Sequence, residues 1–332
     1  LEFRRVLFRS VSEQLPQRST TLQQIRAGRV RALAVSSAER NHQLPEIPAA
    51  RETIPELAAF DVNTACTSFL YGLSTATAMI RSGVVQNAVV IGVELITRYM
   101  DWSNRNVAVL FGDGAAAVVL QASDEESGVL GSVLGCDAEG RQTLRVRGMG
   151  CGYAGLGISY GDTLWDFDGQ AIFKRAVKGM SEASASVLAQ CGVTAEQIDL
   201  AVPHQANLRI IEAVAKYAGL PMDKVMVTVE KYGNMSAATV PVSLVDALEQ
   251  GRVRPGNLLL MPAFGGGLTF CSLLVRWGAR VTPLGVSDRE LPPLTQTALD
   301  IVNAYRAEQD PHGRSARGLL APVFVEQRIQ QR

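Results

Sequence analysis

The sequence has little of what marks secreted, membrane-spanning or nucleic-acid-binding proteins. Its five cysteines are dispersed over 332 residues and include no CxxC pair, which argues against a disulfide framework and a structural zinc site. Lysine plus arginine balances aspartate plus glutamate at 32 each, so nothing in the overall charge favours nucleic acid or a membrane surface. No apolar run reaches the roughly 18–20 residues that span a bilayer. The composition predicts a globular α/β protein of a reducing cytoplasm.

The amino-terminal residues do not resemble the start of a domain. The first ten, LEFRRVLFRS, lack the apolar stretch and cleavage site of a signal peptide, and we interpret them as linker-derived. Residues 25–54 are similar to the carboxy-terminal part of solute-binding proteins of tripartite tricarboxylate transporters. We therefore predict that residues 1–58 are a foreign or linker-derived segment outside the main fold.

One pattern occurs twice in the chain, around Cys66 and around Asn234. Gly83 follows Cys66 by 17 residues, and Gly251 follows Asn234 by the same 17 residues. Each glycine ends a helix-like stretch, and each is followed by a short connection and an apolar run. A thiol and an amide at the same end of duplicated helices predict a pseudo-twofold fold in which both side chains face one central site.

Hydrophobic periodicity predicts helices that alternate with short strands in two halves, residues 59–168 and 169–279. The first half is expected to hold a helix up to Gly83, then a buried strand at 87–93, an interrupted strand over 107–120 and glycine-rich loops over 128–168. The second is expected to hold helices over 171–190, 207–218 and 236–250, and strands over 199–202, 225–229, 258–262 and 268–277. Residues 280–332, with a candidate helix at 295–307, form an extension without an assigned role. The order predicts a sheet covered by helices on both faces.

Three side chains are candidates for chemistry, and each has an ordinary alternative. Cys66 precedes or opens a helix, where the positive dipole end favours a thiolate, although most cysteines are simply buried small side chains. His204 lies between a strand end and a helix start, but a lone histidine is usually structural. The other histidines, His42 and His312, lie in the atypical segment and the tail. Asn234 could be a helix N-cap, yet its match with Cys66 favours a functional role.

A run of three glycines, Gly265-Gly266-Gly267, lies between two predicted strands. No Lys-Ser/Thr pair follows it, which excludes a P-loop. Its backbone N–H groups could instead form half of an oxyanion hole, with the amide of Cys66 supplying the rest. We interpret the segment Phe111–Gly114 as structural. No cluster of His, Cys or carboxylates has metal-ligand spacing.

Four motifs resemble those of the β-ketoacyl-acyl-carrier-protein synthase III family. They are DVNTACTSFLYGL at 61–73, PHQANLRI at 203–210, YGNMSAATVP at 232–241 and AFGGGLTF at 263–270. The resemblance covers about residues 59–279. It implies thiolase-like duplicated βαβαβαββ halves in a layered α-β-α-β-α arrangement. Because residues 11–60 do not resemble the family's first strands and helices, we expect the amino-terminal half to be incomplete.

The resemblance also implies residue roles and partners. Cys66 is implied to be the acylated nucleophile, His204 and Asn234 its catalytic partners, and the N–H groups of Cys66 and Gly266 the oxyanion hole. Asn207 is implied to contact coenzyme A, and Arg209, Lys174 and Arg175 to receive the acidic acyl carrier protein. The resemblance further implies a homodimer whose reaction needs no metal or redox cofactor.

The reaction implied is the start of fatty acid synthesis. Cys66 takes the acyl group of an acyl-CoA primer, and malonyl-carrier protein is then decarboxylated and condensed with it. One alternative is a related Cys-His-Asn enzyme that uses other acyl groups, in secondary metabolism or with medium chains. Another is an inactive truncated or chimaeric copy. A periplasmic solute-binding protein is a third alternative and rests on residues 25–54 alone.

Overall fold

A computed structural model of the chain describes residues 4–8, 59–96, 105–146 and 165–281. The chain divides into two compact units, and almost all described residues belong to the unit formed by Leu1–Ser12, Val62–Ile158 and Asp162–Gly285. The helix predicted at 295–307 and the resemblance at 25–54 lie outside the described residues.

The helices form where apolar residues recur at helical spacing. They are α1 Ser68–Arg81, α2 Arg105–Ala108, α3 Gly169–Cys191, α4 Leu208–Tyr217, α5 Val229–Tyr232 and α6 Thr239–Glu249. Along α1, the buried side chains of Phe69, Leu73, Ala76 and Ile80 lie on one face. At the end of α3, Gly192 adopts a left-handed conformation with φ of 64°, as helix-ending glycines commonly do.

The strands form two larger sheets and one small ribbon. They are β1 Arg4–Phe8, β2 Asn87–Glu94, β3 Gly114–Gln121, β4 Gly128–Cys136, β5 Leu144–Val146, β6 Trp165–Phe167, β7 Leu200–Ala201, β8 Leu258–Gly265 and β9 Thr269–Arg276. The first sheet has the order β1-β3-β2 and is antiparallel throughout. The second has the order β4-β9-β8-β7, in which only β7 and β8 are parallel. The ribbon pairs β5 with β6.

Helices α1 and α6 lie between the two sheets and form the central layer. The inward side chains of β8, such as Leu259 and Met261, share one apolar cluster with α1, α6 and the first sheet. The outward side chains Leu258 and Leu260 belong to a different cluster, formed with α3 and α4. The described residues therefore supply four layers in the order helix, sheet, helix, sheet.

The duplication seen in the sequence is present in the backbone. Short 3₁₀ turns, Ala65–Thr67 and Ser236–Ala238, precede α1 and α6. The residue before Cys66 and the residue before Asn234 both have positive φ, 52° at Ala65 and 67° at Gly233. The helices end at Gly83 and Gly251, which have φ of 76° and 67°. Each helix is then followed by a strand of an antiparallel pair, β2 with β3 and β8 with β9.

Several local predictions were wrong. The strand at 87–93 is not buried on both faces: Val89, Ile91 and Val93 are 55%, 54% and 56% exposed, because no helix among the described residues packs against that face. Residues 128–136 form β4 rather than a loop, since their backbone pairs with β9 along its length.

Three further segments differ from expectation. The strand predicted over 225–229 is reduced to a single bridge between Ala201 and Val225, and Val229 begins α5. The strand predicted over 107–120 begins only at Gly114, and a helical turn, α2, precedes it. The backbone of Arg4–Phe8, part of the segment that is predicted to be foreign or linker-derived, pairs with β3. A free strand edge accepts any extended segment, because the pairing uses main-chain groups alone.

Candidate active site

The turn that holds Cys66 is fixed by close contact with the end of β8. A Cβ atom added to Gly265 would lie 2.8 Å from the Cys66 nitrogen and 3.1 Å from the Thr64 carbonyl oxygen, so only glycine fits there. Thr269, at the start of β9, donates from Oγ1 to the Thr64 carbonyl at 3.0 Å. The positive φ of Ala65 is a conformation that costs a non-glycine residue about 1–3 kcal/mol. The surrounding contacts thus hold the nucleophile candidate in a strained turn.

The Cys66 thiol lies among hydrogen-bond donors. The backbone N–H groups of Cys66 and Gly266 and the Ser236 hydroxyl all interact with it. Burial raises the pKa of the thiol to about 11, and the Glu94 carboxylate adds to the rise, while these hydrogen bonds lower it. Cys66 is therefore a thiol in the free protein at neutral pH. The N–H groups at the helix start lower the pKa of the thiol, in the direction that the sequence predicts, but burial outweighs them.

His204 follows β7 and is held by two hydrogen bonds. Its backbone N–H donates to the Pro262 carbonyl at 2.8 Å, and its Nδ1 lies 2.6 Å from Thr239 Oγ1. The Thr239 hydroxyl donates to the Ser236 carbonyl at 2.8 Å, so it accepts from Nδ1–H of the histidine. Burial lowers the pKa of His204 to about 4, which makes the imidazole neutral at physiological pH. The Nε2 atom is left for a bound group.

Asn234 precedes the second 3₁₀ turn, and its backbone crosses to the loop after α2. Its N–H donates to the Leu110 carbonyl at 2.8 Å, and its carbonyl accepts from the Gly112 N–H at 3.1 Å. Its side-chain Oδ1 accepts from the Ser236 N–H at 2.9 Å. This bond fixes the orientation of the amide and leaves the two Nδ2 protons free of hydrogen bonds to the described residues.

Ser236 connects all three candidates, and sequence reasoning missed it. Its hydroxyl interacts with the Cys66 thiol, its N–H holds the Asn234 amide, and its carbonyl accepts from Thr239, which holds His204. Ser236 is buried and has a positive φ of 48°, again unusual for a non-glycine residue. A signal existed in the sequence, since a serine follows two residues after Asn234, but that spacing also suits an ordinary helix start.

The remaining predicted site residues lie on α3 and α4. Asn207 is the N-cap of α4, where its Oδ1 accepts from the Ile210 N–H at 3.0 Å. Arg209 and Lys174 are exposed. Arg175 differs from them because it forms an ion pair with Asp137. Its guanidinium therefore already has a structural partner.

The part of the chain that the structure describes has neither a metal-binding cluster nor a membrane-spanning helix. No group of three or more His, Cys, Asp or Glu side chains there could hold a metal ion. No helix there is both long and apolar enough to cross a membrane.

Family models match two parts of the chain. Residues 60–138 match the model of 3-oxoacyl-[acyl-carrier-protein] synthase III, and residues 188–277 match the model of the carboxy-terminal part of the same enzyme. These ranges contain Cys66, His204, Asn234 and Gly266. The interpretation of residues 25–54 as a transporter fragment is not borne out.

Curated relatives and solved structures give the same result. A β-ketoacyl-[acyl-carrier-protein] synthase III of Vibrio cholerae is 49% identical over 250 residues, which are 75% of this chain and 69% of the relative. A synthase III of Roseiflexus castenholzii is 45% identical over 67% of this chain and 68% of its own length. The synthase III structure from Aquifex aeolicus matches with a TM-score of 0.63 and 39% identity, covering 69% of this chain and 70% of that one. The priming β-ketosynthase of the R1128 polyketide pathway matches with a TM-score of 0.65 and 29% identity, over 74% of this chain and 73% of that one.

Proposed function

Because the chain belongs to the β-ketoacyl-[acyl-carrier-protein] synthase III family, we propose that Cys66, His204 and Asn234 carry out the condensation that defines it. The fold is thiolase-like, and the chain is an acyltransferase that initiates fatty acid synthesis by joining an acyl-CoA primer to malonyl-carrier protein. The observation that carries the residue assignment is the position of Ser236. It is hydrogen-bonded to the Cys66 thiol and to the Asn234 amide, and through Thr239 it is connected to the His204 imidazole.

In the first half-reaction, the Cys66 sulfur attacks the thioester carbonyl of the acyl-CoA. The carbonyl oxygen becomes negatively charged in the tetrahedral intermediate. The N–H groups of Cys66 and Gly266, which lie beside the attacking sulfur, donate to this oxygen. Fixed backbone donors of this kind stabilise the intermediate without reorganisation. The CoA thiolate then leaves, and Cys66 carries the acyl group.

In the second half-reaction, malonyl-carrier protein occupies the place of CoA. Asn234 donates from Nδ2 to the oxygen of its thioester carbonyl, because Oδ1 is held by Ser236. His204 donates to the same oxygen from Nε2. This donation requires the other neutral tautomer, in which the ring proton has moved from Nδ1 to Nε2 and the Thr239 hydroxyl donates to Nδ1. Loss of CO2 leaves an enolate that these two donors stabilise. The enolate carbon attacks acyl-Cys66 and releases the β-ketoacyl-carrier protein.

Further assignments follow the family. Asn207 contacts the CoA arm with Nδ2, since its Oδ1 caps α4. The exposed cations Arg209 and Lys174, on neighbouring helices, receive the acidic carrier protein, whereas Arg175 stabilises the fold through Asp137. The protein acts as a cytoplasmic homodimer and uses no cofactor beyond its substrates.

Separate assays of the two half-reactions test these roles. Acylation is followed by intact mass after mixing with acyl-CoA, and decarboxylation by CO2 release from malonyl-carrier protein. Cys66→Ser is expected to abolish acylation, whereas Cys191→Ser, a change of a partly exposed thiol on α3, leaves it intact. His204→Ala and Asn234→Ala are expected to acylate normally and to lose decarboxylation. Equal loss of both half-reactions in the His204 and Asn234 variants contradicts the assignment.

A different primer is the second candidate function, and it is favoured by the similarity to a priming β-ketosynthase of a polyketide pathway. The chemistry at Cys66 is the same, but the acyl group differs. Acylation with a panel of acyl-CoAs from acetyl to decanoyl separates the two. Fast acylation by acetyl-CoA supports fatty acid initiation, and selective acylation by a longer chain supports the alternative.

A further inference from the structure

One half-buried carboxyl group beside the nucleophile, that of Glu94, has no role in the reaction as described. Glu94 is the last residue of β2, and it receives hydrogen bonds from the Ser236 hydroxyl and from the Ala237 N–H. Gly92 makes this approach possible, because a Cβ there would lie 2.6 Å from the Ala237 carbonyl oxygen. The end of β2 is thereby pressed against the 3₁₀ turn that holds Ser236.

The Ser236 hydroxyl lies between this carboxyl group and the Cys66 thiol and interacts with both. A serine hydroxyl has one proton to donate. When it donates to the Glu94 carboxylate, its oxygen can accept the S–H proton of Cys66. When the hydroxyl donates to a Cys66 thiolate instead, its oxygen can only accept from Glu94, so Glu94 must be the protonated carboxylic acid to keep this hydrogen bond. The protonation states of the thiol and the carboxyl group are therefore coupled through one hydroxyl.

We propose that Ser236 and Glu94 form a proton relay that accepts the thiol proton of Cys66 during acylation. The proposal rests on Cys66 being the acylated nucleophile. Ser236 touches the reacting sulfur, and Glu94 acts on it through Ser236.

The step balances without a further reactant. As the sulfur forms its bond to the acyl carbonyl carbon, the S–H proton moves to Ser236 Oγ, and the Ser236 proton moves to a Glu94 oxygen. The tetrahedral intermediate collapses by breaking the bond between the carbonyl carbon and the CoA sulfur. The leaving thiolate takes the proton back from Glu94 through Ser236, so the products are acyl-Cys66 and CoA thiol, and Glu94 is again a carboxylate.

The electrostatic environment supports this assignment. Burial raises the pKa of Glu94, and Asp113, which faces it from the segment before β3, raises it further, so this carboxyl group accepts a proton more readily than an exposed one. Burial has the opposite effect on His204 and lowers its pKa to about 4, which disfavours a proton there. The relay also explains why acylation should proceed without His204.

The test compares two reactions of the same sulfur. Iodoacetamide alkylation depends on the fraction of Cys66 present as thiolate, whereas acylation by acyl-CoA also requires a proton acceptor. In Glu94→Gln the negative charge that opposes the thiolate is gone, so alkylation of Cys66 is expected to be unchanged or faster. Acylation of the same variant is expected to fall about 100-fold, in the range typical of general-base catalysis.

Further variants make the result specific. Glu94→Asp keeps the carboxyl group and should recover part of the acylation rate. Glu125→Gln changes an exposed carboxylate and should alter neither reaction. Because Ser236 has positive φ, Ser236→Gly accompanies Ser236→Ala; both remove the hydroxyl, and the glycine removes the backbone strain. Both should lose acylation.

The outcomes are distinguishable. Faster alkylation together with equally fast or faster acylation in Glu94→Gln means that Glu94 acts by charge alone and overturns the relay. An equal decrease in both reactions means that the substitution disturbs the site and also overturns it. Failure of the unsubstituted protein to acylate, or acylation that persists in Cys66→Ser, would instead refute the proposed nucleophile.

Discussion

Gly265 fixes the position of Cys66 because it has no side chain, and not because of an unusual backbone conformation. An added Cβ would lie 2.8 Å from the Cys66 nitrogen and 3.1 Å from both the Thr64 oxygen and the Thr67 nitrogen. All three are main-chain atoms of the turn and no side chain can rotate away. Restoring a contact of about 3.5 Å therefore moves the turn by roughly 0.7 Å relative to β8.

Gly265→Ala is therefore expected to reduce both stability and acylation. Overpacking of this kind typically costs about 1–3 kcal/mol in the free energy of unfolding. A displacement of about 1 Å in a reacting group can cost about 100-fold in rate, so we expect acylation to slow by about 10- to 100-fold. The assays are urea unfolding and the time course of acyl-enzyme formation, followed by intact mass.

The neighbouring glycine provides a matched control. A Cβ on Gly266 would first meet the Ala65 Cβ, at 3.4 Å, which is an ordinary contact. Gly266→Ala also keeps the backbone N–H that we assign to the oxyanion hole. It should therefore acylate within a few-fold of the unsubstituted protein. If Gly265→Ala acylates as fast as Gly266→Ala, the close contact does not position the nucleophile and the reasoning is wrong.

Three further predictions concern charge and burial. Because burial raises the pKa of Cys66 to about 11, its alkylation rate should keep rising through pH 9 and level off only near pH 11; a plateau below pH 8 contradicts the burial argument. Ile91→Ala, on the exposed face of β2, should change the free energy of unfolding by less than about 0.5 kcal/mol, whereas Leu259→Ala, fully buried on β8, should cost about 2–5 kcal/mol. Equal costs in urea unfolding would mean that the face of β2 is covered. Arg209→Glu and Lys174→Glu should raise KM for the carrier protein and leave acylation by acyl-CoA unchanged, and an unchanged KM refutes docking there.

The sequence predicted the elements whose signals are local. The helices α1, α3, α4 and α6 begin and end close to the predicted residues, because apolar spacing and left-handed glycines such as Gly192 act within one element. The repeated interval after Cys66 and Asn234 predicted a duplicated backbone for the same reason.

The predictions that failed depend on contacts between distant parts of the chain. The continuous apolar run in β2 is the same whether or not a helix covers its outer face, so the exposure of Ile91 could not be predicted from it. The pairing of β4 with β9 joins residues more than a hundred positions apart. The spacing of Ser236 after Asn234 also suits an ordinary helix start and Glu94 has no motif around it, since the two side chains meet only where β2 contacts the turn before α6.

Mapping the acyl group tests the central claim most directly. The protein is incubated with acetyl-CoA and with octanoyl-CoA, digested at low pH and analysed by tandem mass spectrometry. The account predicts one acyl group per chain, on the peptide that contains Cys66, and no label in Cys66→Ser. An acyl group on another side chain, or equal labelling of the Cys66→Ser variant, contradicts it.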